Sequence, residues 1–148
     1  MFKRILVAVD GSDTADQALQ EAIKLAMEMR AKLRIVHAVD TVNINLDTEF
    51  PNPTEMSDAA IELGHKILRN AEAVAKKSGI ATETHLIEIH TLGHRIAEVI
   101  ASDAENWSAD LIVICTHGRK GLSRLLLGSV AEAVVRIATK PVLLIRGK

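Results

Sequence analysis

Short apolar runs alternate along this chain with longer segments whose apolar residues recur at helical spacing, and that alternation predicts its architecture. Ile5 to Val9 and Leu111-Ile112-Val113-Ile114 are continuous, rich in β-branched residues and too short for helices. They read as strands buried on both faces of a parallel sheet. Lys32 to Val39 is another strand, with Leu33, Ile35, Val36 and Val39 as its apolar contacts; a less regular one runs from about Thr82 to Glu88, and Pro141 to Ile145 closes the set. Between them, Ala15, Ala18, Leu19, Ala22, Ile23, Ala26 and Met29 mark one face of a first helix. A second helix, Glu55 to Lys77, carries a stripe through Met56, Leu63, Ile67, Ala71, Val74 and Ala75, interrupted by Gly64 at a cost of about 1 kcal/mol relative to alanine. Ser78-Gly79 is its stop signal, Ile96, Ala97, Val99, Ile100 and Ala104 form a third helix, and Val130, Ala133, Val134 and Ile137 a fourth. The pattern predicts an α/β fold: a doubly wound, five-stranded parallel sheet with helices on both faces, residues 1–148 forming a single domain.

Two breaks in this pattern carry chemistry. Asp10-Gly11-Ser12-Asp13 ends the first strand in turn and N-cap residues, which puts Asp10 at a strand's carboxyl end, the edge where open α/β sheets bind ligands. Its plain structural role is that of a turn-former beside a helix N-terminus. The second break is Cys115-Thr116-His117-Gly118-Arg119-Lys120-Gly121-Leu122-Ser123-Arg124, after the Leu111 strand. Gly118, Gly121 and Gly128 permit positive φ or close approach to a ligand, and Arg119, Lys120 and Arg124 add positive charge beside them. Ser129-Val130-Ala131-Glu132 then fits a capping box, with Ser129 as N-cap and Glu132 reaching back. A strand, a glycine-rich loop and a helix N-terminus together make a phosphate cradle. A surface turn with solvated lysine and arginine has the same composition, and the loop alone does not separate the two readings. Neither G-x-x-x-x-G-K-[ST] nor G-x-G-x-x-G occurs in the chain.

Gly118, nine residues, then Gly128-Ser129 resembles the nucleotide-binding motif of the universal stress proteins, whose usual form is G-x-x-G, nine residues, G-[ST]. The resemblance extends over nearly the whole chain, including Ile5-Leu6-Val7-Ala8-Val9-Asp10-Gly11-Ser12 and Lys140-Pro141-Val142-Leu143-Leu144-Ile145, and departs at the first motif position, where Cys115 replaces glycine. It implies an adenine nucleotide alpha hydrolase-like fold in which the first and fourth strands are neighbours. ATP with Mg²⁺ would lie in the crevice between them, against Ala8, Val9, Asp10, Ala38, Ile114, Cys115, Thr116, Gly118, Arg119, Gly128, Ser129 and Val130. Asp10 would contact the ribose or the metal-bound phosphates, and adenine would be read by backbone groups near Ala38. The resemblance also implies a homodimer through antiparallel pairing of Val142 to Ile145, and a stress-response switch or interaction protein whose protein partner is not in the sequence. Some family members lack the glycine motif and do not bind ATP, so an interaction module without nucleotide is the competing reading. Slow hydrolysis, or autophosphorylation on Ser129 or Thr116, stands third, because fold alone does not decide activity.

Composition narrows the field. A formal net charge of −1 argues against sequence-independent binding to nucleic acid or an anionic membrane. Two Phe, one Trp and no Tyr leave few platforms for stacking bases. No apolar run approaches 18 residues and no signal-peptide core opens the chain, so no membrane association is expected; a single cysteine fits a reduced cytoplasmic compartment. Among the histidines, His37 inside a strand is expected to be a packed residue, and His117 an exposed loop residue more often than a base. His90 and His94 have the spacing of a zinc pair, but Gly93 and the turn between them spoil the geometry. Cys115, beside Arg119, Lys120 and a helix N-terminus, is expected near the phosphates with a lowered thiol pKa.

Overall fold

A computed structural model describes residues 1–41, 53–90, 95–117 and 127–147. The long connection after the second strand, with its Phe50-Pro51-Asn52 segment, lies outside the described residues, as do Gly93, His94 and the loop containing Gly118, Arg119, Lys120, Gly121 and Arg124.

Among the described residues, nine elements alternate as expected: β1 (Arg4–Ala8), α1 (Asp13–Met29), β2 (Lys32–Asp40), α2 (Pro53–Lys76), β3 (Thr82–Ile89), α3 (Ile96–Trp107), β4 (Leu111–Cys115), α4 (Ser129–Ile137) and β5 (Val142–Ile145). All strand pairs are parallel and the sheet order is β3-β2-β1-β4-β5, so β1 and β4 are neighbours although more than a hundred residues separate them. Strand alternation sorts the core into two layers. Ile5, Val7, Leu33, Ile35, Leu111 and Val113 face α1 and α2, where Ala15, Ala18, Ala22 and Ala26 let α1 lie close on the sheet. Leu6, Val36, Ile112 and Ile114 face α3 and α4, against Ala97, Ile100, Ala104, Ala131 and Val134. Helices therefore cover both faces, which is why β1 and β4 read as unbroken apolar runs.

Polar groups near the amino ends of the strands are tightly paired. Arg34 on β2 holds Asp103 on α3 through Nε at 2.8 Å and a second nitrogen at 3.1 Å, and reaches Glu83 on β3 at 3.0 Å. His85 Nδ1 lies 2.8 Å from the same carboxylate, and Trp107 donates from Nε1 to Glu83 at 2.6 Å. Burial pushes the Asp103 carboxyl up, but the hydrogen bonds from Arg34 and His85 outweigh it and hold the group below the usual carboxylate range. Arg4 stacks 4.2 Å above the Trp107 ring and donates to its carbonyl, while the Asp110 carboxylate accepts the N–H groups of Lys3 and Arg4.

Gly64, which costs α2 helical propensity, has a packing reason. A Cβ there would stand 2.7 Å from Leu86 Cδ1, 3.0 Å from His37 Cδ2 and 3.2 Å from Val39 Cγ2, so the glycine is what lets α2 approach β2 and β3. Gly64→Ala gains about 1 kcal/mol of helix propensity but forces overpacking costing roughly 1–3 kcal/mol. The melting temperature should fall by a few degrees; a rise on thermal denaturation would show that Leu86 simply swings aside.

Candidate functional site

The carboxyl ends of β1 and β4 open onto one crevice, because β1 hands the chain to α1 on one face while β4 hands it to α4 on the other. On the β1 side, Gly11 at φ 84° turns the chain, and Asp10 Oδ1 accepts the Ser12 N–H at 2.9 Å in an Asx-type turn. Ser12 is the N-cap of α1, its hydroxyl accepting from Ala15 N at 3.2 Å. Thr14, in the first turn of α1, donates from Oγ1 to the His117 carbonyl at 2.7 Å and so ties the start of α1 to the exit of β4. Nothing in the sequence distinguishes Thr14 from an ordinary exposed first-turn residue, and its part in joining the two segments emerges only from the fold.

On the β4 side the backbone is held on both flanks. Thr116 donates its N–H to Ile145 at 2.9 Å, and its carbonyl accepts the Gly128 N–H at 2.6 Å, which brings the start of α4 against the end of β4. What is left over is informative: Thr116 Oγ1 and His117 Nδ1 are buried atoms without hydrogen-bond partners among the described residues. Buried polar atoms are nearly always paired, so two adjacent orphans mark groups that await a partner. His117 is 9% exposed, so the expectation of an exposed bystander is corrected: anchoring of its carbonyl by Thr14 and Cys115 holds it in the fold.

The helix start also differs from expectation. Gly128, not Ser129, is the N-cap of α4, at φ −62° and ψ 152°, and it has no side chain with which to cap; Ser129 is exposed at the first helical position. Glu132 does not reach back: its N–H bonds the Gly128 carbonyl and its carboxylate pairs with Arg136 at 2.7 Å, one turn on. The N–H groups of Ser129, Val130 and Ala131 precede the first intrahelical bond, and they lie at the positive end of the helix dipole. Gly128 is in a φ region open to any residue, so conformational freedom is not its reason; it is buried, with its N–H held by the Thr116 carbonyl.

Cys115 requires the other correction. It is 7% exposed, belongs to the apolar layer beneath α1 and α2, and donates from Sγ to the His117 carbonyl at 3.0 Å. Burial pushes its thiol up, and the Asp10 carboxylate adds to the shift against a partial offset from Thr14, so the lowered value expected from the loop's cations does not hold. Of the remaining sequence-predicted residues, Ala8, Val9 and Ile114 are buried at the strand ends, Ala38 and Asp10 are partly exposed, and Val130 is half-buried in the first turn of α4. Gly118 and Arg119 lie outside the described residues.

The sequence matches the universal stress protein family over residues 1–146. The chain belongs to that family. A relative from Bacillus subtilis (strain 168), universal stress protein YxiE, is 35% identical and covers 99% of this chain and 100% of its own length. A universal stress protein of Archaeoglobus fulgidus, solved in complex with dAMP, superposes with a TM-score of 0.72 at 28% identity over 97% of this chain and 98% of that one. Another, solved in complex with cAMP, gives 0.69 at 25% identity over 98% and 97%. Some members with this fold thus hold adenine nucleotides.

Because thiolate is the reactive form, Cys115 should react with iodoacetamide near neutral pH at least about tenfold more slowly than free cysteine. Labelling at the free-cysteine rate would mean that the thiol is both open and ionised.

Proposed function

We propose that the chain is a universal stress protein domain along its whole length that binds ATP with Mg²⁺ in the crevice between β1 and β4, and serves in the cytoplasm as a nucleotide-dependent switch or interaction protein. The observation that carries the reading is the pair of orphaned buried atoms, Thr116 Oγ1 and His117 Nδ1, beside the uncapped N-terminus of α4. A hydroxyl, an imidazole nitrogen and three backbone N–H groups at the positive end of a helix form a donor set that fits a phosphate chain. Asp10 is the one carboxylate among the proposed nucleotide contacts; it would meet the ribose, or Mg²⁺ held by the phosphates, whose charge the ion would offset. That relatives have been solved with dAMP and with cAMP supports an adenine nucleotide as the ligand class. Cys115 in place of the first motif glycine is compatible with it, since the thiol is turned into the core beneath α1. This supports the nucleotide reading over an interaction module without nucleotide.

Thr116→Val tests the cradle, because it deletes the hydroxyl and keeps the shape. Losing a hydrogen bond to a charged group costs about 1.5–3 kcal/mol, so ATP affinity by calorimetry should drop at least tenfold. Stability should hold or rise slightly, since a buried orphan is being removed. Unchanged ATP binding in a folded Thr116→Val would show that the hydroxyl does not serve the ligand.

The same reading includes a homodimer through β5, which is an edge strand of the sheet. The carbonyls of Pro141 and Ile145 accept from Ile112 and Thr116 at 3.0 and 2.9 Å, so by alternation the backbone groups of Val142 and Leu144 point away from β4. Those are the open groups that a second copy would pair with, and Leu143, 38% exposed, sits between them. Leu144→Pro is therefore the discriminating change: it removes an outward donor and spares the bond from Leu143 to β4. Light scattering should show monomer; a dimer that persists would place the interface elsewhere.

A further inference from the structure

The end of β2 departs from ladder geometry at one residue. In a parallel strand the backbone groups of successive residues turn alternately to one neighbour and the other. Lys32 N–H donates to Lys3 at 2.9 Å and Leu33 N–H to Ala81 at 2.9 Å, so even-numbered residues of β2 face β1 and odd-numbered ones face β3. Val36 keeps that rule by accepting the Val9 N–H at 2.9 Å. The next bond of the series would run from Ala38 N–H to the Val9 carbonyl. Instead, His37 Nδ1 stands 2.8 Å from that carbonyl, and no backbone bond joins Ala38 to Val9 among the described residues. A carbonyl only accepts, so Nδ1 carries the proton and donates.

From this we infer that His37 is a positioning residue of the nucleotide site. Its imidazole occupies the acceptor that the sheet would otherwise give to Ala38, and so leaves the Ala38 N–H and C=O, both directed toward β1, open at the crevice. The inference rests on the nucleotide reading above and names what sets its base preference. A backbone N–H beside a C=O matches adenine, whose edge presents a ring-nitrogen acceptor beside the N6 amino donor; guanine presents the opposite order, O6 acceptor beside N1–H. α2 packs against the ring from behind, since a Cβ on Gly64 would stand only 3.0 Å from His37 Cδ2. Val9 is held at both its N–H and its carbonyl, immediately before Asp10, so the same contact fixes where the β1 exit begins.

His37→Phe keeps the ring and removes the donor, whereas His37→Asn places an N–H the same number of bonds from Cα. The expected result by calorimetry is an ATP affinity at least about tenfold weaker in His37→Phe, with the preference for ATP over GTP reduced, and both recovered in His37→Asn. A general packing defect would lower the melting temperature without moving the ATP-to-GTP ratio. If the parent binds ATP and a folded His37→Phe matches it in affinity and preference, the assignment fails and the nucleotide reading stands. If the parent binds neither nucleotide, both fall. Should His37→Phe not fold, amide hydrogen exchange on the parent decides: Ala38 should exchange much faster than Val36 without ligand and become protected by ATP. Equal protection of Ala38 and Val36 in the free protein would overturn the inference.

Discussion

Adjacent strands β1 and β4 send the chain to opposite faces of the sheet, and the candidate site depends on that divergence. The ladder joins them through Ile5, Leu6 and Val7 on one side and Leu111, Ile112 and Val113 on the other. Past those residues the backbones part, and the polar groups that a continuing strand would have satisfied must find other partners. Some do so locally: Asp10 takes the Ser12 N–H, Thr14 takes the His117 carbonyl, and His37 takes the Val9 carbonyl. The side-chain atoms Thr116 Oγ1 and His117 Nδ1, which no ladder would satisfy, have no partner among the described residues. The end of β1 and β4 is thus where backbone groups turn from the ladder to local and side-chain partners.

The opposite end of the sheet shows the contrast. Arg34, Asp103, His85, Glu83 and Trp107 form a connected set in which the guanidinium satisfies two carboxylates and the indole N–H satisfies one of them again. Asp103 is only 8% exposed, and its lowered pKa means that the folded state prefers the charged carboxylate. The stabilisation from that preference is present above the unfolded carboxylate pKa of about 3.9 and fades as pH falls through the folded value. Near neutral pH this network is fully formed and clamps β2, β3 and α3 together. One end of the molecule is therefore rigidly paired while the other keeps donors in reserve, which is the distribution a binding site on a stable scaffold requires.

Much of the fold was legible because its signals are periodic. Uniform apolar runs at Ile5–Val9 and Leu111–Ile114 identified doubly buried strands, and the alanine stripe of α1 identified the face that lies on the sheet. Capping was legible at Ser12, where a hydroxyl follows a strand and precedes an amphipathic run, but misleading at Ser129. There the S-x-x-E pattern is present, yet Gly128 N–H is held by the Thr116 carbonyl and the helix starts one residue earlier, a tertiary constraint that local sequence does not carry. The lowered Cys115 pKa was misread for a related reason. A residue at a strand's end belongs to one face or the other by strict alternation, and Cys115 shares the face of Leu111 and Val113, under α1, where burial raises its pKa.

Gly64 and His37 were each legible as residue types and illegible as a pair. Gly64 looked like a weakness in a helical stripe, and His37 like a packed histidine in a strand; both descriptions are true and neither contains the relation between them. The missing side chain at Gly64 lets α2 descend onto β2 against His37, whose ring holds the Val9 carbonyl at the end of β1. Such a coupling runs across two elements and through side-chain contact, so it is invisible to any reading that takes the chain one element at a time. On the proposed reading the site rests on few side-chain signatures, because the groups that Ala38 and the start of α4 would offer are backbone groups, and side chains such as His37 would decide which of them stay free.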